Sequence, residues 1–119
     1  MDESERMARL REAYARHFGG PLAGWVRAPG RVNLIGEHTD YNEGFVLPMA
    51  IERDMLLAFA PQKDPQVELY ALDRDERVRF PLSRIPKDRA HPWSNYARGV
   101  ARELQALGVP LRGLCAAFQ

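Results

Sequence analysis

With 119 residues, 45% hydrophobic and 28% charged, the chain has the make-up of one ordinary globular domain or part of a larger one. Its net charge of +1, with basic residues spread among acidic ones, argues against a nucleic-acid surface and a polybasic membrane anchor. The lone cysteine, Cys115, excludes an intrachain disulfide, and no stretch has the apolar length of a signal peptide or of a ~20-residue membrane span, so a cytoplasmic home is expected.

The first periodic segment runs from Ser4 to Phe18. Met7, Leu10, Tyr14 and Phe18 recur at helical intervals on one face, with Arg6, Arg9, Arg11 and Arg16 around the rest of the cylinder. Asp2 or Ser4 is placed to cap this helix, and Gly19-Gly20-Pro21 to end it. From Trp25 the pattern changes to short β-like runs broken by Gly and Pro: 25–28, 31–35 and 45–47. Met55 to Ala60 is a continuous apolar run that predicts a buried strand. Val67–Leu72 and Val78–Leu82 flank the charged turn Asp73-Arg74-Asp75-Glu76. The alternation of Val78, Phe80 and Leu82 with Arg77, Arg79 and Pro81 has the period of a half-buried hairpin arm. A second helix is predicted over Ser94 to Leu107, ended by Gly108 and Pro110, and a final apolar stretch occupies Leu111 to Gln119. The fold class is α+β, a mixed sheet with two main helices.

Chemistry concentrates between Ala28 and Gly44. A strand rich in Val, Leu and Ile runs into a loop opened by Gly36, which presents Glu37, His38 and Asp40 within four residues before Asn42-Glu43-Gly44 turns the chain back. Three uses of these side chains compete. They can be a solvated loop without a task. They can be metal ligands, although three on one short loop do not match the usual motif spacings. Or they can bind a polyol, since carboxylates accept hydrogen bonds from pairs of sugar hydroxyls and imidazole can donate or accept.

The run from Gly30 to Ile51, GRVNLIGEHTDYNEGFVLPMAI, resembles the galactokinase signature almost residue for residue. Its Pro-Gly-Arg-Val-Asn-Leu-Gly-Glu-His skeleton is shared more loosely by the wider GHMP superfamily of homoserine, mevalonate and phosphomevalonate kinases, whereas Thr39-Asp40-Tyr41-Asn42 is particular to galactokinases. Pro92-Trp93-Ser94-Asn95-Tyr96 to Val100 is similar to that family's Trp-x-Asn-Tyr-x-x-Gly-Val helix start, and Pro110 to Phe118 to the strand that follows.

The resemblance implies an enzyme that moves the γ-phosphoryl group of ATP, with Mg2+, onto the C1 hydroxyl of α-D-galactose. It implies that Glu37, His38 and Asp40 bind sugar hydroxyls and that Arg31 stands near the reacting oxygen. It also implies that Trp93 and Tyr96 flank the adenine, unless they are core packing at a helix start. No residue of this chain is expected to ligate the metal.

The Gly/Ser-rich phosphate loop of the superfamily has no counterpart among residues 1–119, and no acidic residue follows Glu103 to serve as the family's catalytic aspartate. The chain is therefore expected to be an incomplete N-terminal domain, 1–119, cut before that loop and inactive alone. Its tail is expected to be a strand lacking a neighbour, so that copies self-associate. A galactose-sensing relative without kinase activity, or a kinase for a related sugar, would share the same motif.

Overall fold

The computed structural model describes residues 2–35, the last three as backbone only, and 47–119. Helix α1 spans Glu3–His17. The Asp2 side chain caps it by accepting from the Glu5 amide at 2.8 Å. Glu3 and Glu5 in the first turn and Arg16 and His17 in the last complement the helix dipole. Gly19 and Gly20 follow at φ +67° and +76°, the left-handed region that stops a helix cheaply only at glycine.

Five strands form one sheet: β1 (Gly24–Ile35), β2 (Leu47–Pro61), β3 (Gln66–Ala71), β4 (Glu76–Pro81) and β5 (Leu114–Phe118), with α2 (Ser94–Ala106) between the last two. Their spatial order is β1-β2-β5-β3-β4. All neighbours are antiparallel except β5 and β3, which run parallel. The mixed sheet with two helices is the expected α+β class.

Three expectations need correction. The runs 25–28 and 31–35 are one strand, not two. Pro29 breaks no ladder fatally because β1 is an edge strand, and the interruption is absorbed as a register shift between Pro29 and Arg31. The apolar run 55–60 is not buried on both faces. Leu56, Ala58 and Ala60 are buried, Leu57 and Phe59 half-buried, and Met55 exposed. The tail strand does not lack a neighbour either. β5 is the middle strand, paired with β2 through Leu57↔Phe118 to Pro61↔Leu114 and with β3 through Val67↔Leu114 to Ala71↔Phe118. Of the expected strand 45–47, only Leu47 lies within the described residues, where it opens β2.

Alternation along β5 sorts the core into two layers. Cys115 and Ala117 join Leu10, Ala13 and Tyr14 of α1 with Leu56, Ala60 and Tyr70. Ala116, with Leu114 and Phe118, faces Ala101 of α2 together with Val67, Leu69, Val78 and Phe80. One helix covers each face, so both sides of β5 are apolar, as a sandwiched sheet requires, while β3 also buries Glu68 on the α1 side.

Candidate functional site

The β1–β2 hairpin carries the polar motif. Residues 36–46, with Glu37, His38 and Asp40, lie outside the described residues. Their flanking residues Ile35 and Leu47 are cross-strand partners, so the motif connects the two strands at the far end of the hairpin from Gly24 and Pro61. Arg31 lies just past the register shift, opposite Ala50, and is exposed. Gly30 fits there because an added Cβ would come within 3.0 Å of the Arg53 carbonyl oxygen and 3.2 Å of Ile51.

The second candidate region lies on the α2 face. Since Val26 pairs with Leu57 and Ala28 with Met55, these side chains share the face that α2 leaves uncovered over β1 and β2. The result is a groove of ≈ 400 Å³ lined by Met55, Leu57, Leu69, Trp93, Tyr96, Ala97 and Phe118, with Arg74 as its one charged wall. Trp93 meets Phe118 edge-on at 5.6 Å between ring centroids, and Tyr96 is 83% exposed. A slot walled by aromatic and aliphatic carbon, with a guanidinium beside it, suits a flat heteroaromatic ring attached to an anionic chain. The structure thus brings Trp93 and Tyr96 together. Trp93 serves both readings, since it also packs against the α2-side core.

What holds Trp93 in place was not legible in the motif alone. Asp88 Oδ1 accepts from the amides of Ala90 and His91 at 2.9 and 3.0 Å. Asn95 Oδ1 accepts from the Asp88 amide at 2.8 Å, and its amide group donates back to the Asp88 carbonyl at 3.0 Å. The buried Arg98 donates to Ser94 Oγ and to the Pro86 carbonyl, each at 3.0 Å, and lies 4.7 Å from the Phe80 ring centroid. The His91 amide, ahead of its other donors, holds the Asp88 carboxyl below the usual carboxylate range. This network fixes the turn 86–93 on α2 and so fixes the indole at the helix start. The signal in the sequence was the pairing of Asp88 with Asn95, seven residues apart. Neither residue stands out without the fold.

Among the described residues, no group of three His, Cys, Asp or Glu side chains could hold a metal ion, and no helix is long and apolar enough to cross a membrane.

The family model described as the galactokinase galactose-binding signature matches residues 12–61, a span that contains the motif at 30–51 and extends it both ways. The galactokinase of Chloroflexus aurantiacus is 46% identical over 107 residues, covering 90% of this chain and 27% of the relative. That of Actinobacillus pleuropneumoniae serotype 5b is 47% identical over 94 residues, covering 79% and 24%. The crystal structure of Lactococcus lactis galactokinase complexed with galactose superposes with a TM-score of 0.81 at 32% identity, over 94% of this chain and 30% of that one. The mevalonate kinase of Methanococcus jannaschii, 18% identical with a TM-score of 0.59, shares the fold over 81% of this chain. The chain spans about a quarter of the length of the curated relatives it matches.

Proposed function

We propose that this chain, which resembles galactokinases along most of its length and carries their galactose-binding signature, is the sugar-recognising N-terminal portion of a cytoplasmic galactokinase. The intact enzyme would phosphorylate the C1 hydroxyl of α-D-galactose with ATP and Mg2+. The observation that carries this reading is the signature match over 12–61, which takes in the end of α1 and both strands of the β1–β2 hairpin.

In this reading Glu37, His38 and Asp40 bind the sugar hydroxyls. A fixed carboxylate discriminates by geometry, because a hydroxyl of the wrong orientation leaves it without a partner. Arg31, exposed at the base of the motif, offers a guanidinium to charge that builds on the phosphoryl oxygens. ATP supplies the phosphoryl group, and its adenine fits the groove between Trp93 and Tyr96, with Arg74 on the anionic side. The phosphate loop, the catalytic aspartate and the carboxylates for Mg2+ would come from the rest of the enzyme. The 119-residue chain is accordingly expected not to turn over galactose. We also infer that it self-associates, along the β1 edge rather than through its tail.

A crossed pair of substitutions in the intact enzyme tests the site assignment. Asp40→Ala should lower kcat/KM for galactose about ten- to a hundredfold, the worth of a charged group on hydroxyls, and leave the KM for ATP unchanged. Tyr96→Ala, at an exposed position, should raise the KM for ATP and spare that for galactose. If Asp40→Ala kept wild-type galactose kinetics, the sugar assignment would be wrong.

A further inference from the structure

The β1–β2 hairpin changes character along its length, and the change falls at Asp54. Below it, β2 is backed by β5. The ladder Leu57↔Phe118 to Pro61↔Leu114 is extended one step by paired backbone bonds between Leu56 and Gln119 at 2.9 and 3.0 Å. Above it, no described strand other than β1 pairs with residues 47–55. Arg31, Val32 and Leu47 to Ala50 are all exposed. The register shift between Pro29 and Arg31 lies at the same level, with Pro29 directly opposite Asp54. A hairpin that loses lateral support where its ladder is also interrupted has a natural hinge there.

Three separate segments meet at this hinge on one carboxylate. The Asp54 side chain is 5% exposed; Oδ1 accepts from Arg6 of α1 and Oδ2 from Arg27 of β1. The other terminal nitrogen of Arg6 donates to the backbone carbonyls of Asp54, at 2.9 Å, and of Gln119. Arg27 also reaches Glu3 of α1 at 3.7 Å. Helix, hairpin and the end of the middle strand are thus tied together just below the unsupported span. Asp54 belongs to neither apolar core layer, and its contacts join separate elements instead.

We infer that Asp54 is a positioning residue, which through Arg6 and Arg27 sets the direction in which the outer part of the β1–β2 hairpin, whose strands continue in sequence into residues 36–46, leaves the sheet. The inference rests on the reading of those residues as the sugar-binding motif. The lever is long. Seven residues of strand separate Asp54 from Leu47, roughly 24 Å at ~3.4 Å per residue, so a tilt of about 5° at the hinge moves the far end by ~2 Å. Misplacement by ~1 Å is enough to cost about a hundredfold where reacting groups must be aligned. The two guanidinium donors, Arg6 first, hold the Asp54 carboxyl well below the usual carboxylate range, so the tie stays charged throughout the neutral and mildly acidic region.

Amide hydrogen exchange on the 119-residue chain reads the hinge without any ligand. Asp54→Asn keeps the shape and removes the charge. It should speed exchange in 31–35 and 47–50 roughly tenfold while leaving the β3–β4 hairpin as in the wild type. Arg27→Gln, at an exposed side chain, is the milder variant should Asp54→Asn not fold, and should move the same amides in the same direction. In the intact enzyme, Asp54→Asn should raise the KM for galactose at least tenfold with the KM for ATP unchanged, and adding Arg27→Gln should cost little more, because Arg27 acts through the same carboxylate.

Equal exchange in wild type and variants overturns the inference. So does faster exchange spread evenly over β3–β4, which would mean plain loss of stability, and so does an unchanged galactose KM in the intact variant. An intact wild type that does not phosphorylate galactose at all would instead sink the proposed function, and the exchange data would still decide the hinge.

Discussion

Cys115 shows how little a residue type says before its surroundings are known. Its thiol lies within 3.5 Å of a Glu68 carboxylate oxygen on the α1-facing side of the sheet. Burial first, and then the Glu68 charge, push its pKa up to about 11 from an ordinary 9.0. Two units cut the thiolate supply about a hundredfold at neutral pH. The greater intrinsic nucleophilicity of a more basic thiolate restores part of that, which leaves roughly a tenfold loss before access is counted. Iodoacetamide should therefore alkylate the native chain at least tenfold more slowly than the urea-unfolded one. Equal rates would mean that Cys115 is not in this environment. At this scale the sequence singled out Glu37, His38 and Asp40 as a dense polar run after an apolar strand, while a sugar-binding role for them and a place for Arg31 near the reacting oxygen came only from the resemblance. It was silent about Asp54 and Asp88, and it named Asn95 only as a motif letter without its bonds to Asp88. Their importance comes from partners up to 48 residues away, as in Arg6 with Asp54, and single-sequence patterns do not carry such pairings.

At the level of elements, what local chemistry governs was readable. Asp2, the acidic first turn and Gly19-Gly20 delimited α1 to within a residue at each end, and the alternation 78–82 gave the β3–β4 hairpin, with its turn expected at 73–76 and found at 72–75. The misread elements are those where neighbours override local rules. Pro29-Gly30 signals a break by propensity, yet an edge strand tolerates it. The docking of α1 was likewise beyond sequence reasoning, and it has a pH dependence. The His17 ring, at the helix C-terminus, stacks on Tyr70 at 3.7 Å between centroids, and the His17 carbonyl accepts from Arg77 at 3.0 Å. Partial burial, then the charges of Arg16 and Arg77, against a smaller opposing pull from Asp75, lower its pKa from the usual 6.5. A histidine with a depressed folded pKa favours the fold fully only above its unfolded value. That contribution fades as the pH falls through 6.5 and the folded pKa beneath it. The melting temperature should thus drop between pH 7 and pH 5, with a shallower drop in His17→Gln. An NMR titration placing His17 above 6.5 would reverse the sign and refute the assignment.

For the molecule as a whole, strand order decides which surfaces remain open, and strand order is the least local property of a sheet. Leu111 to Gln119 carries one charged residue, Arg112, and read as a tail it suggests an exposed edge. The fold instead threads Leu114–Phe118 between β2 and β3, with Ala116 and Ala117 fully buried. The open edges are β4 and β1, and they differ. β4 is six residues long, presents Arg77 and Arg79, and ends at Pro81, features that discourage strand addition. β1 is twelve residues long, and the hairpin it belongs to exposes Val32 (43%), Leu47 (51%) and Met49 (48%) beyond the end of β5. Apolar side chains clustered on an unbacked hairpin, beside unpaired backbone groups, favour pairing with a second copy. The expected association therefore runs through β1. Sedimentation across a concentration series should show the mass rising above 13.6 kDa, and Val32→Lys with Met49→Lys should return it to the monomer. A charged substitution at Ala117, in the middle of β5, should unfold the chain instead of dissociating it, since a buried unpaired charge has nowhere to go. A wild-type mass that stays constant to high concentration would show that neither the edge nor these side chains recruit a partner. An Ala117→Lys variant that folds and runs as a clean monomer would contradict the central placement of β5 from which this account of the surface follows.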